Sequence, residues 1–263
     1  MKPRGPARLS RDRSTLSSVT FRYLDIDVAD GAHTIKLNRP ERLNALTQDV
    51  VSEMIGAFGD VASVENNVVL LRGEGRAFCA GWDLKDAAAA GRKSLERIRS
   101  EIETMQELTR VMRNCPLPII GIIHGYAMGA GCEIALSCDL VIAERSTVFA
   151  FPETSVGLSV TGGFTHILPR TVGIVKAKEL ILLGRRFGAS DAHDMGLVNF
   201  VCDEDELDGT VEMVVDELRD KAKIALRIAK QQIDLGSQLD LETAMRLEVE
   251  LGVQASLSQE SDE

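Results

Sequence analysis

Apolar positions along this chain switch repeatedly between two periods. His33-Thr34-Ile35-Lys36-Leu37 has the alternation of a half-buried strand, and Val68-Val69-Leu70-Leu71 is a compact apolar run closed by Gly73 and Gly75. Between them Val50, Val51, Met54, Ile55 and Phe58 fall at helical spacing. Ile98, Ile102, Met105, Leu108 and Met112 repeat that spacing until Pro116 and Pro118, whose missing N–H groups cannot continue a helix. The pattern then predicts a strand over Ile119 to His124, a tight strand-to-helix turn over Gly125 to Gly131, a helix over Cys132 to Ser137 and a strand over Leu140 to Ala143. Strand then helix, repeated, predicts an α/β fold. Ser190 is placed as the cap of a short helix that Gly196 ends, with Leu197 to Val201 extended beyond it. From about Glu204 the apolar positions are helical throughout: Val211, Val214, Val215 and Leu218, then Ile224, Ala225, Ile228 and Ile233, then Leu241, Met245, Leu247 and Leu251. The polar end from Ser256 to Glu263 is expected to fray.

Composition narrows the class. The 263 residues suffice for one large domain or two small ones with a substantial core, and aromatic residues at 4% leave the packing to Val, Ile, Leu and Ala. No apolar run approaches the roughly twenty residues of a membrane span, so a soluble protein is expected. A net charge of −10 without a basic stripe argues against a nucleic-acid partner, so an anionic ligand must be met by single cations and backbone N–H groups. Five cysteines without a CxxC pair read as free thiols in a reducing compartment, and four scattered histidines without HExxH spacing predict no metal site. Residues 1–18 are basic, proline-interrupted and aperiodic, the pattern of a disordered tail. An Arg-rich, acid-poor start also suits a mitochondrial presequence; the prolines and the missing amphipathic face put the cytoplasm ahead of the mitochondrial matrix.

Two acids stand where acids are expensive. Glu133 follows Gly129-Ala130-Gly131-Cys132 with apolar neighbours, and Glu153 ends the apolar approach Phe149-Ala150-Phe151-Pro152. An unpaired buried carboxylate costs several kcal/mol or titrates upward. Either acid alone also suits a helix N-terminus or a salt bridge. Two of them, flanking one strand and opening into one cleft, would split their titration and supply an acid and a base together. The segments Gly73 to Asp83 and Gly125 to Gly131 are neither a Walker loop nor a dinucleotide fingerprint. Their glycines suit plain turns, or a backbone whose N–H groups hold an anion or oxyanion.

Four blocks in register resemble the crotonase (enoyl-CoA hydratase/isomerase) superfamily: Leu37 to Leu46, Ala77 to Lys85, His124 to Glu133, and Phe151-Pro152-Glu153. The resemblance implies a ββα spiral core over 19–200, a helical trimerisation region over 201–263, and a homotrimer or homohexamer. It implies an acyl-CoA thioester substrate, with coenzyme A as part of that substrate and no separate cofactor. By position, the backbone N–H groups of Trp82 and Ala130 hold the thioester oxygen of an enolate, Glu133 deprotonates the attacking water and Glu153 protonates Cα. Ala80, Gly81, Trp82, Asp83, Leu84 and Lys85 line the CoA path, with Lys85 either a phosphate contact or a solvated lysine. Keeping both carboxylates favours hydration of a 2-enoyl-CoA, or the reverse dehydration.

Three departures qualify the resemblance. Gly157 to His166 lacks the usual proline-containing turn after the second acid, which points to a different acyl group. Trp82 replaces a small residue, as a pocket wall or as core. The last helix is expected to be short and acid-ended, which bears on CoA affinity and assembly. The alternatives are another enolate reaction, such as isomerisation or retro-aldol cleavage, and a catalytically silent acyl-CoA-binding protein.

Overall fold

The structure, a computed structural model, describes residues 21–29, 31–61, 68–89, 91 and 93–260. The tail expected over 1–18 lies outside the described residues. β1 (Leu24–Ala29) and β2 (Ala32–Leu37) form an antiparallel hairpin. From β2 onward one motif repeats: a strand joins a large sheet, a shorter extended piece joins a small one, and a helix closes the turn.

In the first turn β2 leads to Leu46, bridged to Trp82, and then to α1 (Gln48–Val61). In the second, β3 (Val68–Gly73) leads to Cys79, bridged to Ala127, and past Trp82 to α2 (Leu84–Ala89) and α3 (Leu95–Asn114). The third is β4 (Ile119–Ile123), β5 (Tyr126–Met128) and α4 (Ala130–Ala135). The fourth is β6 (Leu140–Glu144), β7 (Val148–Ala150), α5 (Phe164–Val172) and α6 (Ile174–Leu183). β8 (Phe187–Gly188) returns antiparallel to β7, and α7 (Ala189–Asp194) leads to β9 (Phe200–Cys202). The large sheet runs β1-β2-β3-β4-β6-β9, parallel except at β1, and the small sheet β5-β7-β8. Parallel neighbours need a crossover, and each short strand with its helix supplies one. This is the expected α/β spiral.

β4 is buried on both faces, which explains its unbroken apolar sequence. Ile119 and Ile123 join the main core with Ile35, Leu71, Met54, Phe58, Leu108 and Met112. Ile120 and Ile122 face the other way, against Val211, Val214 and Val215 of α8 (Leu207–Arg219). Each such side chain, fully buried, contributes about 1.5–3 kcal/mol. α9 (Lys223–Gly236) and α10 (Leu241–Glu260) complete the helical C-terminal region. Lys230 ties α9 to the spiral: its Nζ donates to the Met112 and Leu117 carbonyls and pairs with Asp139 at 2.7 Å.

The structure corrects several details. The glycine-rich stretch 125–131 is not a single turn, because Gly125 and Gly129 each take a positive φ and the three residues Tyr126–Met128 between them pair with β7. Ser190 lies inside α7; Gly188 is the cap, and its N–H donates to the Asp191 carboxylate at 3.2 Å. The stripe of α3 is covered only at Met105, Leu108 and Met112, while Ile98 and Ile102 stay exposed. α10 continues to Glu260, past the point where fraying was expected.

Candidate active site

The two glycine-rich segments run side by side. Phe78 N donates to His124 O, Cys79 N to Tyr126 O and Met128 N to Cys79 O, all at 2.9–3.0 Å. This spacing leaves no room for side chains: a Cβ on Gly81 would stand 2.5 Å from the Met128 carbonyl oxygen, and one on Gly125 or Gly131 would collide with the carbonyls of Arg76 or Cys79. These glycines therefore serve the close approach of the two segments to each other. Asn44, almost fully buried, pins the first segment, its Nδ2 donating to Glu74 O at 2.9 Å and Ala77 O at 2.8 Å while its Oδ1 accepts from Arg39 N.

That approach leaves two main-chain donors beside each other. The bridge at Leu46 uses the Gly81 carbonyl and the Asp83 N–H, so the Trp82 N–H lies outside it. Ala130 opens α4, and the first N–H groups of a helix have no partner within it. A Cβ on Gly81 would lie 3.6 Å from Ala130 N, which brings the two donors into one neighbourhood.

Gly129 opens the helix that carries Glu133 and lies against the Glu153 carboxyl, and the charge of Glu153 acts on Glu133. Glu133 N donates to Gly129 O at 2.9 Å, and Glu153 Oε1 lies 3.1 Å from where a Gly129 Cβ would be. β6 and β7 both lie between the acids in sequence, where a single strand was expected. Their side chains differ. Glu133, 1% exposed, is not a lone carboxylate: Thr161 N donates to Oε1 at 2.7 Å and Thr161 Oγ1 to Oε2 at 2.9 Å. Glu153, 7% exposed, has no partner for either oxygen among the described residues. Burial pushes Glu133 up to about 7, against the Thr161 hydrogen bonds, and the neighbouring Glu153 adds to the rise. Burial likewise raises Glu153. Phe149, Phe151, Phe164 and Phe187 pack around the approach to Glu153, with centroids 5.7 Å apart in the 149–187 and 151–164 pairs.

The other expected site residues lie along one edge. Ala80 is half-buried, and its N–H donates to Leu43 O at 3.0 Å. Gly81 is buried, and Trp82 is half-buried against the main core. Asp83 is engaged within the protein: one oxygen accepts from Asp86 N at the start of α2, and the other stands 3.5 Å from Arg39. Leu84 and Lys85 are exposed at the start of α2. Sequence reasoning missed Thr161; its signal was the Gly162-Gly163 pair that turns the chain there. Two small cavities, of about 150 and 220 Å³, lie around Leu136, Cys138 and Asp139, away from both acids. Among the described residues, no helix is long and apolar enough to cross a membrane.

Comparison with known proteins gives this geometry a context. The enoyl-CoA hydratase/isomerase family model matches residues 27–263. A short-chain-enoyl-CoA hydratase of Clostridium acetobutylicum is 35% identical, with 82% of each chain covered. A 1,2-epoxyphenylacetyl-CoA isomerase of Escherichia coli is 33% identical over 84% of this chain and 85% of its own. Among solved structures, a Thermobifida fusca protein described as a candidate enoyl-CoA hydratase, in complex with CoA, superposes with a TM-score of 0.82 at 28% identity, covering 92% of this chain and 95% of its own.

Proposed function

We propose a hydratase, from the premise that the chain belongs to the enoyl-CoA hydratase/isomerase family, the crotonase superfamily, and is most like its enoyl-CoA hydratases. The substrate is a 2-enoyl-CoA thioester and the product a 3-hydroxyacyl-CoA, with the reverse dehydration equally open. The reading rests on one observation: two buried carboxyls act on each other, Glu153 lying against Gly129 at the start of the helix that carries Glu133, beside the Trp82 and Ala130 N–H groups, which have no acceptor among the described residues.

The chemistry follows from that arrangement. Water oxygen bonds to Cβ as Glu133 takes the water proton. The π pair of the Cα=Cβ bond shifts to the thioester oxygen, where the Trp82 and Ala130 N–H groups hold the enolate. Glu153 then gives its proton to Cα, and the proton gained by Glu133 restores the acid pair through solvent. Fixed donors need no reorganisation as the charge develops, and one such donor is worth about 3 kcal/mol. A base with a pKa of about 7 works near neutral pH, where an ordinary Glu is weaker. Glu153 is the acid of the pair, and the burial that raises it favours the protonated form this role needs.

Ala80 to Lys85 line the CoA path, and the exposure of Lys85 supports a phosphate contact there. Coenzyme A enters as part of the substrate, and no further cofactor takes part. The protein works as a homotrimer or homohexamer with residues 201–263 at the interface. The exposed row Leu241, Met245, Val249, Val253 and Leu257 on α10 supports that assembly.

The test is a panel of enoyl-CoA esters, crotonyl-CoA first, followed by loss of the conjugated thioester absorbance and by mass spectrometry of the product. A product heavier by one water supports the proposal. The similarity to the Escherichia coli isomerase supports a second reading, isomerisation, whose product keeps the substrate mass. An aldehyde would indicate retro-aldol cleavage. Tight acyl-CoA binding without turnover would leave only a binding protein.

A further inference from the structure

We infer that Thr161 is a positioning residue for Glu133, holding its carboxyl group in one orientation in both protonation states. The inference rests on the hydratase reading and deepens it. The two groups of Thr161 reach different oxygens, the backbone N–H reaching Oε1 at 2.7 Å and the hydroxyl reaching Oε2 at 2.9 Å. A backbone N–H can only donate, whereas a hydroxyl donates or accepts. When Glu133 is ionised, both Thr161 groups donate to it. When Glu133 has taken the proton of water onto Oε2, that O–H donates back to Thr161 Oγ1, and only the hydroxyl hydrogen has to rotate. Oε1 keeps the same N–H throughout, so the carboxyl plane stays fixed while its charge changes.

The local backbone is built for this contact. Phe164 N donates to Thr161 O at 2.9 Å, and Gly162 and Gly163 between them have φ of +50° and +79°. Positive φ at both central positions defines a type I′ turn, which tandem glycines adopt without strain. A Cβ at 162 would also come within 3.1 Å of both Glu133 Oε2 and Thr109 Oγ1, so a side chain there would press on the carboxyl group. The turn delivers Thr161 to Glu133 and opens α5 in the next residue. Glu153 is the charged group that acts on Glu133 among the described residues, and the Cys132 thiol, which feels both acids, is pushed far up by burial and stays neutral. Glu153 has no equivalent clamp among the described residues.

The test compares Thr161→Val, which keeps the backbone donor and the volume but loses the hydroxyl, with Thr161→Ser, which keeps both donors. With crotonyl-CoA, Thr161→Val is expected to lower kcat roughly tenfold or more with KM within about threefold, because the clamp acts on the reacting step and not on CoA binding. It also moves the acidic limb of the kcat/KM profile to higher pH, since a carboxylate that loses a donor is harder to ionise. Thr161→Ser restores both. Wild-type kcat with an unmoved limb in Thr161→Val overturns the inference, as does an equal fall in Val and Ser variants. A carbon-13 NMR titration of the Glu133 carboxyl, assigned by its absence in Glu133→Gln, reads the same clamp without turnover: a raised pKa in Thr161→Val supports it and an unchanged one overturns it. Wild-type protein that hydrates no enoyl-CoA removes the hydratase reading, and the NMR titration still decides the clamp. Should Thr161→Val not fold, Thr161→Ala carries both measurements.

Discussion

The α4 start and the turn after β7 each hold a glutamate, and both glutamates are nearly out of reach of water. Their surroundings diverge from there. Glu133 accepts two hydrogen bonds from Thr161, while neither oxygen of Glu153 is paired among the described residues. Elsewhere Asp139, its side chain 26% exposed, shows what an acid looks like when its task is to hold the fold: it accepts from Ile119 N at 2.7 Å and pairs with Lys230. Asp139 thus differs from the two glutamates both in its exposure and in having a cation. The cation matters for chemistry, because a neutralised carboxylate is a poor base and a poor acid.

The comparison can be broken most severely at the acids themselves. Glu153→Gln and Glu133→Gln are each expected to lower the rate of enoyl-CoA hydration by about 10²–10⁴-fold, with acyl-CoA binding, measured by calorimetry, largely kept. Full activity in either variant would sink the two-acid mechanism. Next comes the main chain between them. Gly81→Ala forces a Cβ onto the Met128 carbonyl from a φ of +82°, so the N–H pair at Trp82 and Ala130 must shift. A loss of about 10²-fold in kcat is expected, the order seen when one oxyanion donor is removed, alongside a lowered melting temperature.

A pH series sharpens the contrast further. The Glu133 carboxyl titrates near 4.5 when unfolded and at about 7 when folded, so the folded state holds its proton more tightly and wild-type stability falls as pH rises between those values. Glu133→Gln removes this penalty. Urea denaturation should therefore show the variant gaining stability relative to wild type from pH 4 to pH 8, by at most about 3 kcal/mol; equal differences at the two pH values would refute the assignment. The smallest effect on catalysis is expected at the structural acid. Lys230→Met leaves Asp139, its side chain 26% exposed, without its cation and should destabilise by about 2 kcal/mol, below the range for a fully buried pair because solvent still reaches the carboxylate. Its kcat should stay within about twofold of wild type when assayed below its melting temperature, as expected of a residue outside the reacting group.

Much of the scaffold could be read from periodicity. The runs at 33–37, 68–71, 119–124 and 140–143 became neighbouring parallel strands, and the stripe on α1 is buried as its spacing requires. The short strands were harder. β5 and β7 are three residues each, too brief to show a period, and β8 is shorter still. Glu133 and Glu153 were visible because an acid among apolar neighbours is costly wherever it lies. Thr161 was not, since a threonine before two glycines resembles any surface turn until its partner 28 residues away is known.

The order of strands and helices, the two acids and the glycine-rich segments were set by local pattern, because periodicity, turn chemistry and the cost of a buried charge all act over a few neighbouring residues. The pairing of those glycines with each other, the nearness of the two acids and the clamp on one of them were decided only by the tertiary fold. They depend on distances between residues far apart in the chain, and such distances are fixed when the two sheets and their helices pack around one core.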